Sequence, residues 1–220
     1  LMILRPPRST HTDSSAASDV YKRQNQYSAI VVFGAPGSIN DEDEYINKEL
    51  EWINKVIKTD VPYLGICFGA QLLAKCLGSE ITTNKDGLSE IGFYKIEPTE
   101  NAKNLFNSQK IFFQFHSEGF SLPTGCELLA RGDIFNNQAF KYQNCYALQF
   151  HPEVNFKLHM RWLYLVLLKN PKKLFVKGAQ NIFVQLYYRY KYNKNISNWL
   201  DSFLDQYFLK KNLNANISEN

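Results

Sequence analysis

From Val61 the chain runs through an apolar stretch, Val61-Pro62-Tyr63-Leu64-Gly65-Ile66, into Cys67-Phe68-Gly69. It then passes without a spacer into a helical pattern, Gln71-Leu72-Leu73-Ala74-Lys75-Cys76-Leu77, that stops at Gly78. A buried strand joined directly to a helix commits the chain to an α/β arrangement, because only a very sharp turn at Cys67 can connect the two. Gly65 and Gly69 flank that turn and are expected to let the backbone make it, leaving the Cys67 sulfur free at the start of the helix. Exposed backbone N–H groups and the positive end of the helix dipole favour thiolate over thiol there. A cysteine that merely fills a core needs neither glycine.

A thiolate nucleophile needs a proton shuttle. In Cys145-Tyr146-Ala147-Leu148-Gln149-Phe150 the small or polar residues alternate with large apolar ones, giving a short buried strand that delivers His151 at its C-terminal end. Chemistry collects at that edge of an open α/β sheet. Pro152 fixes the backbone between His151 and Glu153, so the carboxylate can hold the imidazole in one tautomer and stabilise it when protonated. His-Pro-Glu alone would equally suit a loop histidine beside a turn proline. With the cysteine turn, it supplies nucleophile, base and orienting group in Cys67, His151 and Glu153.

The rest of the chain frames these two segments. A strand at Ala29 to Phe33 runs into the loop Gly34-Ala35-Pro36-Gly37. From Asp43 to Lys58, Ile46, Leu50, Ile53 and Ile57 recur at helical spacing and return the chain to the Val61 strand. Further strands are predicted at Ile91 to Glu97, Ile111 to Phe115, Glu127 to Arg131, Gln138 to Tyr142 and Cys145 to Phe150, making the sheet mixed. Helices are predicted at Phe156 to Leu168, Ala179 to Tyr192 and Ser197 to Leu209. The last carries an apolar stripe of Trp199, Leu200, Phe203, Leu204, Tyr207 and Phe208 that suits either core or a dock for a partner domain. At 220 residues and 45% apolar composition the chain can bury one sizeable core.

Charge and cysteine usage exclude several function classes. A net charge of +4 is too mild to argue for nucleic acid, and Lys169, Lys172, Lys173 and Lys177 read as a solvated helix end. Cys67, Cys76, Cys126 and Cys145 show no CxxC pair and no metal-ligand spacing, so neither a metal nor a cofactor is expected and a reducing cytoplasm is the natural setting. The most apolar helical run, Trp162 to Leu168, meets Lys169 far short of the 18 or so residues of a membrane span.

Taken with Ile30-Val31-Val32-Phe33-Gly34-Ala35-Pro36-Gly37-Ser38 and Asn137-Gln138-Ala139-Phe140-Lys141-Tyr142, the cysteine and histidine motifs resemble the class I, triad-type glutamine amidotransferase family, in its GMP-synthase-like branch. The likeness runs from about Ala29 to Val154 and more loosely beyond. It implies a three-layer flavodoxin-like fold with a mostly parallel, mixed open sheet between helices. It also implies hydrolysis of the glutamine side-chain amide to glutamate and ammonia through a γ-glutamyl thioester on Cys67. The backbone N–H groups of Ala35 and Phe68 would hold the oxyanion, while Gly34, Gln71 and His116 would contact glutamine. Ala35 stands where the family has a glycine, and a left-handed backbone there would cost an alanine about 1 kcal/mol. His116 and Glu118 could form a second acid/base pair, though the resemblance places them in a loop bordering the pocket. His159 reads as a helix residue without a chemical duty. The same triad would serve a γ-glutamyl peptide or amine hydrolase, and a third reading is a catalytically silent interaction module using the C-terminal helices. A glutaminase would need an ammonia-accepting synthetase as partner.

The two ends read differently from the middle. Residues 1–24, with Arg5-Pro6-Pro7-Arg8-Ser9-Thr10-His11-Thr12-Asp13-Ser14-Ser15, have no hydrophobic period and match neither a signal nor a transit peptide. They resemble an in-frame translation of a sequencing or cloning adapter, and are expected to be disordered and outside the fold. The amidotransferase-like domain would then be 25–210, truncated before its first βαβ unit, with 155–210 helical and 211–220 a polar tail. Loss of such a unit costs several kcal/mol against a typical margin of about 5–15 kcal/mol.

Overall fold

A strand that is apolar at every position must be covered on both faces, since successive side chains point in opposite directions. Ile30 to Val32, Tyr63 to Ile66 and Cys145 to Leu148 are buried throughout, and they form the centre of the sheet. The computed structural model describes the backbone of residues 2–4 and residues 27–209 in full. In chain order the strands are β1 (Met2–Leu4), β2 (Ile30–Val32), β3 (Tyr63–Ile66), β4 (Ile81–Thr83), β5 (Glu90–Lys95), β6 (Glu97–Pro98), β7 (Ile111–His116), β8 (Glu118–Phe120), β9 (Glu127–Arg131), β10 (Ala139–Tyr142) and β11 (Cys145–Leu148). The helices are α1 (Glu44–Val56), α2 (Phe68–Cys76), the short α3 (Lys103–Phe106), α4 (Phe156–Lys169) and α5 (Ile182–Phe203), the last running into a π-helical turn at Leu204–Phe208.

Seven strands form one sheet in the order β1-β2-β3-β11-β10-β9-β6. The pairs from β1 to β11 are parallel, and those from β11 to β6 antiparallel. Two hairpin-like pairs, β4 with β8 and β5 with β7, stand apart from it. Alternation along the central strands sorts the core into two layers. Ile30, Val32, Tyr63, Cys145 and Ala147 face α1 and α2 through Trp52, Ile53, Leu72 and Leu73. Val31, Leu64, Ile66, Tyr146 and Leu148 face the aromatic cluster of Phe106, Phe112, Phe150, Trp199 and Phe203. The expected mixed α/β fold with flanking helices is therefore present.

Where the structure departs from expectation, longer-range packing is the reason. The two C-terminal helices merge into α5, because Ile196, Trp199 and Phe203 bury against the sheet and carry the helix across its polar middle. Trp199 stacks on Phe106 and donates its indole N–H to the Leu105 carbonyl at 2.9 Å. The Trp199 stripe is thus core rather than a dock. The predicted strand at Ile91 to Glu97 divides into β5 and β6, which join different sheets, and β4 and β8 are additional. Met2–Leu4 falls inside the stretch expected to lie outside the fold, yet its backbone pairs parallel to β2. Such pairing asks only for an open strand edge. The remainder of that stretch and the polar tail lie outside the described residues.

Candidate active site

The turn at Cys67 is as sharp as its sequence demands, but the strain sits on the cysteine. Cys67 has φ 51° and ψ −105° between β3 and α2, one of three non-glycine residues with positive φ among those described. Such a conformation costs about 1–3 kcal/mol and persists only where the surroundings enforce it. Neither Gly65 nor Gly69 has a positive φ, so they do not supply the turn. They supply space. A Cβ on Gly65 would lie 2.4 Å from the Gly69 carbonyl oxygen, and one on Gly69 would lie 2.2 Å from that of Val32. The glycines let α2 press against β2 and β3, while Cys67 N–H donates to Leu148 O at 2.8 Å and locks the turn to β11.

The next residues after β11 bring His151 to the same point. His151 N–H donates to Phe113 O at 2.8 Å, and its Nδ1 meets Glu153 Oε1 at 2.8 Å. Trp162 of α4 packs edge-on against the ring at 5.1 Å. Gly34 closes the opposite side, for a Cβ there would meet His151 Cε1 at 2.8 Å and Cys67 Cβ at 3.5 Å. Burial alone would push the His151 imidazole down, but the Glu153 carboxylate and the Cys67 sulfur, hydrogen-bonded to the ring, outweigh it and push it up to about 10. The protonated imidazolium is the form of His151 that these neighbours favour.

That upward shift makes a prediction about stability. A histidine whose folded value is raised contributes stability that is fully present below its unfolded value of about 6.5 and is lost as pH rises through about 10. The stability gap between the parent chain and His151→Ala, read from urea midpoints, should therefore narrow steadily from pH 7 to pH 10. A gap constant over that range would mean that the buried imidazole is neutral throughout.

A chain of amides extends from the sulfur. Gln149 Nε2 lies 3.8 Å from Cys67 Sγ, and Gln71 Nε2 donates to Gln149 Oε1 at 3.3 Å and to the Glu118 carbonyl at 2.9 Å. His116 is set back from the sulfur. Its Nδ1 also meets the Glu118 carbonyl, at 2.9 Å, and its Nε2 meets Glu90 Oε2 at 3.0 Å and Gln114 Oε1 at 3.1 Å. Both ring nitrogens are thereby engaged, Nδ1 on the Glu118 backbone and Nε2 on the Glu90 and Gln114 side chains. Ser38 Oγ donates to Glu118 Oε1 at 2.9 Å, tying the Gly34 loop to the same segment. Glu118 thus works through its carbonyl and its link to Ser38, and no second acid/base pair with His116 forms.

Phe68 opens α2 directly after Cys67, and Ala35 follows Gly34 on the loop beside the imidazole. Ala35 is not left-handed, and Gly37, at φ 112°, takes that conformation two residues later. The substitution of alanine for the family's glycine is therefore free of the expected strain. Sequence reasoning missed Gln149, Glu90, Gln114 and Gln138, which form a buried polar network around the segment. Their signal was a polar residue at a buried position of an otherwise apolar strand.

Residues 8–170 match the family model described as Glutamine amidotransferase class-I. A glutamine-hydrolyzing GMP synthase subunit from Sulfurisphaera tokodaii is 35% identical over 133 residues, covering 58% of this chain and 68% of that protein. The glutamine-hydrolyzing GMP synthase of Brachyspira hyodysenteriae is 33% identical over 132 residues, and there the match spans only 24% of the relative. Among solved structures, a glutamine amidotransferase from Thermotoga maritima superposes with a TM-score of 0.73 at 29% identity, covering 84% of this chain and 79% of that one.

Proposed function

The chain belongs to the class-I glutamine amidotransferase family, and on that premise we propose that it hydrolyses the side-chain amide of glutamine through Cys67, His151 and Glu153. The observation that carries this reading is the strained cysteine at a strand-to-helix turn, hydrogen-bonded to an imidazole that a carboxylate orients. The Cys67 thiolate attacks the amide carbon, and the oxygen takes up negative charge facing the N–H groups of Phe68 and Ala35. As the C–N bond breaks, the His151 imidazolium gives its proton to the departing nitrogen, which leaves as ammonia. A γ-glutamyl thioester remains. Water then attacks it, His151 takes the water's proton, and the thiolate leaves as glutamate is released.

Gln71 and Gln149 hold the pocket wall next to the sulfur, and Gly34, lacking a side chain, lets the imidazole pack directly against the loop. Since two matched relatives carry the name of glutamine-hydrolyzing GMP synthases, a synthetase that accepts the ammonia is the partner this reading calls for. No described helix is long and apolar enough to cross a membrane, and free cysteines suit a reducing cytoplasm.

The test is direct. Incubated with glutamine, the chain should release glutamate and ammonia in equal amounts, slowly alone and faster once a synthetase partner is added. Turnover of γ-glutamyl amines or peptides with no detectable release from glutamine would replace this reading with a γ-glutamyl hydrolase.

A further inference from the structure

Helix α5 carries an arginine into the interior. Arg189 is 1% exposed, although Tyr187 and Tyr190 beside it face solvent. Its guanidinium lies over the rings of Phe93 and Phe113, at 4.8 and 5.2 Å, and its Nε donates to His159 Nδ1 at 3.3 Å. Both terminal nitrogens are buried and make no hydrogen bond among the described residues. The second carboxylate oxygen of Glu153, Oε2, is likewise buried without a hydrogen bond. Burying a cation so incompletely paired is costly, and an apolar side chain of similar size would fill the space more cheaply. Packing alone does not account for it.

One contact and one electrostatic influence connect Arg189 to the triad. The first is Phe113, whose ring lies under the guanidinium and whose carbonyl accepts the His151 N–H. The second is the field of Glu153. Burial pushes the guanidinium down to about 10, Glu153 opposes that shift, and Arg189 remains a cation at neutral pH. The other titratable group facing it is His159 of α4. Burial and the Arg189 charge push that imidazole down to about 4. It is therefore neutral, accepting from Arg189 at Nδ1 and facing Gln185 Oε1 with Nε2 at 3.3 Å. His159 thus seats the arginine without competing for charge.

We propose that Arg189 is a positioning residue for the triad, a buried cation that holds the Phe113 strand and, through its charge, stabilises the Glu153 carboxylate, so that His151 keeps its working orientation over Cys67. The proposal rests on the glutaminase reading above. It is tested on the full chain with Arg189→Met, which removes the charge and keeps the stem, Arg189→Lys, which keeps a charge, and Arg189→Met in a Glu153→Gln background. Arg189→Met should lower kcat for glutamine about tenfold or more with KM within about twofold, as loss of an outer-shell partner does. Arg189→Lys should recover most of that loss. In the Glu153→Gln background the same substitution should change kcat by less than about twofold, because the two act as a unit.

A folded Arg189→Met with parental kcat overturns the proposal, as does an equal loss in the Glu153→Gln background. If Arg189→Met does not fold, Arg189→Gln takes its place. Failure of both to fold would make the arginine a requirement of folding and also overturn it. A parent chain without glutaminase activity would instead refute the function. The same variants would then be compared by the rate at which iodoacetamide alkylates Cys67, where the same loss and rescue are expected.

Discussion

Cys67→Ser should abolish glutamine turnover, lowering it by a factor of at least about 10³, while leaving the fold and the melting temperature nearly unchanged. The substitution preserves size and the ability to hydrogen-bond His151, but a serine hydroxyl does not ionise beside an imidazolium as a thiol does. Selectivity follows from the environments of the other three cysteines. Burial pushes Cys76 up to about 12, Cys126 up to about 11 and Cys145 up to about 12, so none offers a thiolate at neutral pH. Among the described residues none is hydrogen-bonded to a histidine, and the Cys76 sulfur instead contacts the Leu50 carbonyl. A glutamine-mimicking diazoketone should accordingly label the chain once, at Cys67, and glutamine should slow the reaction. Labelling spread evenly over the four cysteines of a folded sample, or full turnover by Cys67→Ser, would remove the triad from the mechanism.

How much of this was legible in the sequence follows from the range over which each feature is encoded. The strand, turn and helix around Cys67 are contiguous, and their apolar run, glycines and helix stop are local signals. The same holds for His151 and Glu153, two residues apart with a proline between them. Even there the sequence misassigned the strain, because Gly65 and Gly69 serve contacts with Gly69 and Val32 backbone atoms that only the packed sheet reveals. The outer support of the site was hidden for a stronger reason. Glu90, Gln114, Gln138 and Arg189 reach their partners from separate elements, and no spacing rule joins a helix residue at 189 to a strand residue at 113. A buried arginine in a helix of mixed polarity looks like a surface residue until the fold turns that face inward. The join between the two C-terminal helices was missed for the same cause, since tertiary burial of Ile196 and Trp199 overrides the weak helix preference of the Asn-rich segment before them.

Gly69→Ala is the substitution expected to damage the fold most for the smallest change in composition. The added methyl would sit 2.2 Å from the Val32 carbonyl oxygen and 2.8 Å from its carbon, both backbone atoms of a central strand that cannot swing aside. Either α2 moves away from the sheet or β2 bends, and in both cases the Cys67 turn loses the contacts that enforce its positive φ. Overpacking of this kind costs about 3 kcal/mol, which for a domain of this size lowers the melting temperature by about 6–12 °C. Gly78→Ala is the matched control. Gly78 has φ 87°, but a Cβ added there would meet nothing within 4 Å, so only backbone strain is introduced, worth about 1 kcal/mol. The two variants separate close packing from backbone conformation. Thermal melts should rank Gly69→Ala well below Gly78→Ala, and only Gly69→Ala should also lose rapid labelling of Cys67. Equal melting temperatures would mean that α2 has slack against β2, and the tight seat of the nucleophile would have to be given up.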